Sequence, residues 1–324
     1  MNRRYFIKNT GLTGLGLSLS GVTMPSIAEW LLSNNDMKPF FKLSLAQWSL
    51  HKAILEFKTL HPLDFAKKAN ALGFGAIEYV SQLYNSELEK QSLDKLITEL
   101  KKRSVDNGIK NVLIMIDGEG ELASPIKQQR DSAILKHAKW VDAAAELGCH
   151  AIRVNLFGAD TENDAALWEA SSADGLSRLA KYAAKSNINV IVENHGGLSS
   201  DAEKLVNVIK AVNLKNCGTL PDFGNFCLKR EHGEQWGAKC IEEYDKYKGV
   251  QELIPFAHGV SAKTYDFDAK GNETSIDYVR MLTIVKESGY SGYIGIEYEG
   301  SRLSEEEGIE ATKDLLLRVA KQLG

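Results

Sequence analysis

Cysteine is scarce in this 324-residue chain. There are four, Cys149, Cys217, Cys227 and Cys240, and no two form a C-x-x-C pair. That excludes a zinc knuckle, a redox dithiol motif and a disulfide-built scaffold. The four read as small buried residues; a Cys217–Cys227 bridge is open, but nothing in the sequence argues for it. Proline is also scarce, at 6, and glycine stands at 27 without a repeat, which excludes collagen-like and low-complexity chains. No run supplies the ~20 consecutive apolar residues that a membrane-spanning helix needs, so stable membrane insertion is not expected. There is no basic excess either. The net charge is −4 and the Lys and Arg residues are dispersed, which removes a nucleic-acid surface. No glycine-rich phosphate loop follows the first β-prone run, so no nucleotide cofactor is expected.

Acidic residues are missing before Glu29. That segment opens Arg3-Arg4-Tyr5-Phe6-Ile7-Lys8, continues through a weakly apolar stretch to Met24 and reaches small residues near Ser26 and Ala28. A basic, then apolar, then small order reads as an export signal, here of the twin-arginine type. The expected organisation is an export signal at 1–28 and a catalytic domain at 29–324, acting in the periplasm or another exported location.

What is present beyond residue 40 is an alternation. Eight short apolar runs lie at 41–48, 76–80, 111–116, 151–156, 189–193, 217–222, 259–265 and 293–298. Helical patterns fall near 61–72, 92–106, 131–147, 174–187, 201–213, 238–254, 275–288 and 304–322. Glycines after Leu72, Leu147 and Ser288 predict left-handed helix caps. Ser92-Leu93-Asp94 and Ser200-Asp201 predict N-caps with early negative charge, and Glu305-Glu306-Glu307 suits the first turn of the last helix. The runs are nearly continuous in apolar residues, as strands covered on both faces require. Eight strand–helix units predict an α/β fold of (β/α)8 TIM-barrel type with one domain.

In such a barrel, chemistry sits at the C-terminal strand ends and the loops beyond them. Glu193, Asp222 and Glu297 end the fifth, sixth and eighth runs. A carboxylate that ends an apolar strand is desolvated, and three converging there repel each other unless a cation offsets them. A divalent metal on oxygen ligands answers that need; Mn²⁺ or Mg²⁺ fits best and Zn²⁺ stays open. The alternative is that each carboxylate is separately paired, with Arg153 or Lys263. His195, beside Glu193, is a catalytic or ligand candidate. Glu78, Arg153, Lys263 and Asn225 are candidates for substrate hydroxyl contacts, although Glu78 and Arg153 could instead be a structural ion pair. Trp48 and His51 could supply an apolar wall and a hydroxyl contact. The stretch from Asp117 to Glu121 reads equally as a cover or as a solvated acidic loop.

Three segments carry a resemblance: Ile191-Val192-Glu193-Asn194-His195-Gly196-Gly197, Pro221-Asp222-Phe223-Gly224-Asn225 and Gly295-Ile296-Glu297-Tyr298-Glu299-Gly300. With Gly73-Phe74-Gly75-Ala76-Ile77-Glu78, they resemble the sugar phosphate isomerase/epimerase superfamily, the xylose isomerase-like TIM barrels, across roughly 41–322. The resemblance implies a metal set of Glu, Asp, His and Glu from strands five to eight. It gives three of those roles to Glu193, Asp222 and Glu297. The fourth does not carry over. Relatives have His-x-Lys on the seventh strand, and this chain has Ser261-Ala262-Lys263. His195, a water or Asp266 could complete the shell, or Lys263 could supply positive charge instead.

The expected activity is metal-assisted proton transfer beside the carbonyl of a small carbohydrate or keto-sugar. Glu193 and Glu297 would exchange the proton, with isomerisation or epimerisation as the outcome. The alternatives are a lyase or hydrolase acting on 3-keto-glycosides, and a carbohydrate-binding barrel without catalysis. A homo-oligomer stays open.

Overall fold

A computed structural model describes residues 38–158, 164–235 and 237–324. The export signal expected at 1–28 lies outside them. Residues Pro39–Gly324 form one compact unit.

Its strands, in chain order, are β1 (Lys42–Ala46), β2 (Ala76–Val80), β3 (Lys110–Met115), β4 (Ala151–Val154), β5 (Asn189–Glu193), β6 (Cys217–Leu220), β7 (Cys227–Arg230), β8 (Cys240–Glu243), β9 (Val260–Thr264) and β10 (Tyr293–Tyr298). Eight of them form one sheet in the order β6-β5-β4-β3-β2-β1-β10-β9, and every pairing in it is parallel. Single parallel bridges, Thr219 to Ala257 and Asp222 to Ser261, join its two edges and close the barrel. The eight strands coincide with the eight apolar runs. Their continuous hydrophobicity is explained by burial on both faces: Leu45, Ile77, Leu113, Ile152, Val190, Ile191 and Val192 are all sealed from solvent. Each such side chain contributes about 1.5–3 kcal/mol through burial.

The outer layer consists of helices α1 (Phe65–Ala71), α2 (Leu93–Asp106), α3 (Lys127–Leu147), α4 (Ala165–Ala183), α5 (Ala202–Val212), α6 (Lys246–Leu253), α7 (Tyr278–Glu287) and α8 (Glu305–Leu323). The punctuation read from sequence holds. Gly73, Gly148 and Gly289 all have positive φ. The Ser92 and Asp201 side chains accept from Lys95 and Lys204 amides, and Ser304 with Glu307 forms a capping box.

Two expectations are corrected. The helix placed at 238–254 begins only at Lys246; residues 240–243 are a strand that pairs antiparallel with β7. The cysteines are not all small buried residues, and Cys217 does not bridge to Cys227. Cys227 is bonded to Cys240 across the hairpin, with Cα atoms 5.8 Å apart, and Cys149 and Cys217 are free and buried. The pairing depends on a hairpin of short, mostly exposed strands whose composition carries no strand periodicity.

Candidate functional site

The strand ends bring Arg153, Glu193, Asp222, Lys263 and Glu297 together, each at least 95% buried. Geometry follows from register. Lys263 on β9 stands opposite Glu297 on β10, and Asp222, just past β6, bridges to Ser261 on β9. Inward positions recur every second residue along a strand, so Ser261 and Lys263 share a face.

The charges alternate. Glu193 Oε2 lies 2.9 Å from Arg153 Nε, an ion pair out of line for a hydrogen bond. Its Oε1 accepts from Asn225 Nδ2 at 2.9 Å. Arg153 also donates to Asp117 Oδ1 at 2.8 Å. Lys263 Nζ donates to Glu297 Oε1 at 2.6 Å and lies 3.3 Å from Glu299 Oε1 and 3.9 Å from Asp222 Oδ2. Asp222 Oδ2 accepts from the Ser261 hydroxyl at 2.6 Å, and Oδ1 from the amides of Gly224 and Asn225, both at 2.8 Å. Gly224 is required there: a Cβ on it would stand 2.7 Å from Tyr265 Oη and 2.8 Å from Lys263 Cγ.

Burial dominates the titration behaviour. It pushes Glu297 up to about 8, reinforced by Glu193, Glu299 and Asp222 and opposed by Lys263. It pushes Asp222 up to about 6, against Lys263. Glu193 is also raised by burial, and Arg153 and Lys263 pull it back. His195 is driven down to about 3 by burial and by the charges of Arg153 and Lys263, so its imidazole is neutral at working pH. Asp117 goes the other way. Burial raises it, but Arg153 holds it below the ordinary carboxylate range.

The rim comprises half-buried groups and the buried Asn155. His195 Nδ1 contacts Asn155 Oδ1 at 3.0 Å, and Asn155 Nδ2 donates to Asp117 Oδ1 at 2.7 Å. Trp48 stacks on His51, ring centroids 4.5 Å apart, and donates from Nε1 to Glu299 Oε1 at 2.6 Å.

The structure therefore places Glu193, Asp222, Glu297, Lys263, Arg153, Asn225 and His195 in one cluster. Trp48 and His51 reach it through Glu299. Glu78 is elsewhere. It is sealed inside the barrel, accepting from Ser44 Oγ at 2.6 Å. It forms no ion pair with Arg153, whose partners are Asp117 and Glu193. Sequence reasoning gave no role to Glu299, Asn155 or Tyr265 and left Asp117 in an undecided loop. The signal for Glu299 was there: it stands two residues beyond Glu297, on the same face.

The resemblance implied a divalent metal on Glu193, Asp222 and Glu297, and the donor set as it stands does not fit one. Ser261, at the expected imidazole position, donates its hydroxyl proton to Asp222. The three carboxylates already face an ammonium, a guanidinium, a hydroxyl and amide N–H groups. Among the described residues, no three or more His, Cys, Asp or Glu side chains are grouped so as to hold a metal ion.

A family model described as xylose isomerase-like TIM barrel matches residues 66–319. No curated protein matches the chain by sequence. Solved structures share the fold. A D-tagatose 3-epimerase-like protein is 20% identical, with a TM-score of 0.65, over 88% of this chain and 100% of its own. The 3-keto-D-glucoside 4-epimerase of E. coli is 16% identical, with a TM-score of 0.62, over 85% and 98%. A xylose isomerase-like TIM barrel protein from Mycobacterium smegmatis, solved in complex with magnesium, is 17% identical, with a TM-score of 0.62, over 89% and 100%. At these identities, the likeness is one of fold.

Proposed function

The chain belongs to the xylose isomerase-like TIM barrel family, and on that premise we propose that it is a sugar isomerase or epimerase. It moves a proton at a carbon beside a carbonyl. One observation carries the reading: Glu193 and Glu297 are buried at strand ends on either side of Asp222 and Lys263, and each has its own cation. Arg153 favours the ionised form of Glu193, which suits a base. Glu297, raised to about 8, keeps a proton at neutral pH, which suits an acid. Return of the proton to the opposite face of the same carbon gives epimerisation; return to the neighbouring carbon gives isomerisation.

Asn225, His195 and Asp117 offer polar contacts for sugar hydroxyls, and the Trp48–His51 stack offers a flat wall. The substrate class is a small ketose or keto-glycoside, in keeping with the tagatose-epimerase-like and 3-keto-glucoside epimerase neighbours. One neighbour was solved with magnesium; in this chain, the carboxylate oxygens of Asp222 and Glu297 already face N–H and O–H donors.

The test is incubation with ketoses and 3-keto-glycosides in deuterated water. Carbon-bound deuterium in recovered substrate or product is expected. Its absence across both classes would overturn the assignment. If the same enolisation instead released the glycosidic substituent, the chain would be a lyase.

We also propose an exported, periplasmic location. The Arg3-Arg4 segment supports it, as does the Cys227–Cys240 bridge, since disulfides persist in oxidising compartments. Fractionation of the wild type and an Arg3→Lys/Arg4→Lys variant tests this. Retention of the wild type in the cytoplasm would overturn it.

A further inference from the structure

We propose that the cation at the centre of this site is the Lys263 ammonium group and that the protein moves its proton without a divalent metal, an inference that rests on the isomerase reading above. Three observations carry it together. The first is placement: Lys263 Nζ lies among Glu297, Glu299 and Asp222, at 2.6, 3.3 and 3.9 Å, with its side chain 2% exposed.

The second is engagement. A metal ligand must turn a lone pair toward the ion, and here each carboxylate already faces a donor or a cation. Asp222 accepts two backbone amides and the Ser261 hydroxyl. Glu193 accepts from Asn225 and faces Arg153. Glu297 accepts from Lys263, and Glu299 from Trp48. A divalent ion would have to displace these donors while standing beside an ammonium and a guanidinium, which repel it.

The third is the exchange on β9. Ser261 occupies the position where the family pattern has an imidazole, two residues from Lys263 on the same strand face. A hydroxyl is shorter than an imidazole and donates to Asp222 rather than sharing an ion with it. That leaves the space beside Asp222 to the lysine.

The proton transfer balances without a metal. Glu193 takes the proton from the carbon beside the carbonyl. The C–H electron pair becomes the enediolate double bond, and the carbonyl π pair moves onto oxygen. The Lys263 ammonium faces that negative charge and keeps its own protons. Glu297 then delivers a proton to carbon, and the carbonyl re-forms. Glu193 ends with one proton more and Glu297 with one fewer, and exchange with water resets both.

The experiment uses the full exported protein dialysed against a chelator, with Mn²⁺ alone as the binding probe. Titration followed by electron paramagnetic resonance should find no stoichiometric Mn²⁺ on the wild type. The variant Ser261→His/Lys263→Met, which supplies an imidazole and removes the ammonium, should bind Mn²⁺ about tenfold more tightly or better. Deuterium exchange into substrate should survive chelation within about twofold and fall at least about a hundredfold in Lys263→Met, with partial rescue in Lys263→Arg. Exchange that disappears on chelation and returns with Mn²⁺ would overturn the proposal. So would one tight Mn²⁺ per wild-type chain. If no sugar exchanges with or without Mn²⁺, the isomerase reading fails, and the titration alone still identifies the central cation.

Discussion

Lys263 and Glu297 stand opposite each other on β9 and β10, with the ammonium nitrogen 2.6 Å from Oε1, both buried toward the C-terminal ends of their strands. In the proposed reaction, this pair sets the protonation. Burial holds Glu297 up to about 8 despite the lysine. An acid with that value works below it and fails above it. The rate should therefore fall as pH rises through about 8, while Glu297→Gln should lose ~10²–10⁴ in kcat and with it the alkaline limb. The check is a pH–rate profile of wild type and variant, with circular dichroism to confirm that the variant is folded. An unchanged alkaline limb in Glu297→Gln would remove the acid role.

Glu78 should make stability fall with rising pH. Burial lifts its carboxyl from the ordinary 4.5 to about 7, with the Ser44 hydrogen bond opposing and Glu193 assisting. Folding thus favours the protonated form. Its contribution is complete below about 4.5 and is lost as pH rises through about 7, amounting to about 3 kcal/mol by pH 8. Glu78→Gln, which cannot ionise, should match the wild type at pH 5 and exceed its Tm at pH 8. Thermal unfolding across that range decides it; parallel curves would mean that Glu78 is not the group responsible.

Gly295 and Glu78 should be strongly coupled. A Cβ on Gly295, in the middle of β10, would lie 2.5 Å from Glu78 Oε2. Gly295→Ala should therefore cost about 1–3 kcal/mol through overpacking. In a Glu78→Ala background, the same substitution should cost little, because the clashing carboxylate is gone. A double-mutant cycle from urea unfolding measures the difference. Additive costs would refute the close approach.

The Cys227–Cys240 bridge closes a short loop over 13 residues of sequence separation. Chain-entropy arguments give such a loop about 3 kcal/mol. Cys227→Ser/Cys240→Ser should lower Tm, and limited proteolysis should then cut within 228–239 before any barrel strand. Cleavage starting elsewhere would show that the hairpin does not depend on the bridge.

The barrel was legible because burial on both faces writes itself into sequence as uninterrupted runs such as Val190-Ile191-Val192. Glu193, Asp222 and Glu297 stood out as carboxylates breaking that pattern. The hairpin did not, because its strands are short and mostly exposed, and its bridge depends on a pairing between distant residues. The surroundings of Glu78 were hidden for a different reason. Its place in the middle of β2 gave no indication that Gly295 leaves a space for its carboxylate inside the barrel. The arrangement of Lys263 among acids could be named as an alternative from sequence, yet only the register of β9 against β10 gives the distances. Asp117 belongs to the site through Arg153, and Asn155 through Asp117 and His195, contacts no spacing rule predicts.

The closing edge of the barrel has a consequence for how the protein breathes. Most neighbouring strands share runs of three or more paired residues, whereas the β6 and β9 edges meet at two isolated bridges, one of them between Asp222 and Ser261. A closed sheet opens more readily along a seam with few rungs. Here, the rung that yields carries an acid of the charge cluster and the residue that replaces the family's imidazole. The floor of the candidate site and a sparsely paired joint of the cylinder are the same few atoms. Small excursions of this joint therefore shift the spacing of the charges directly, and thermal loosening should disarm the site before the barrel itself comes apart.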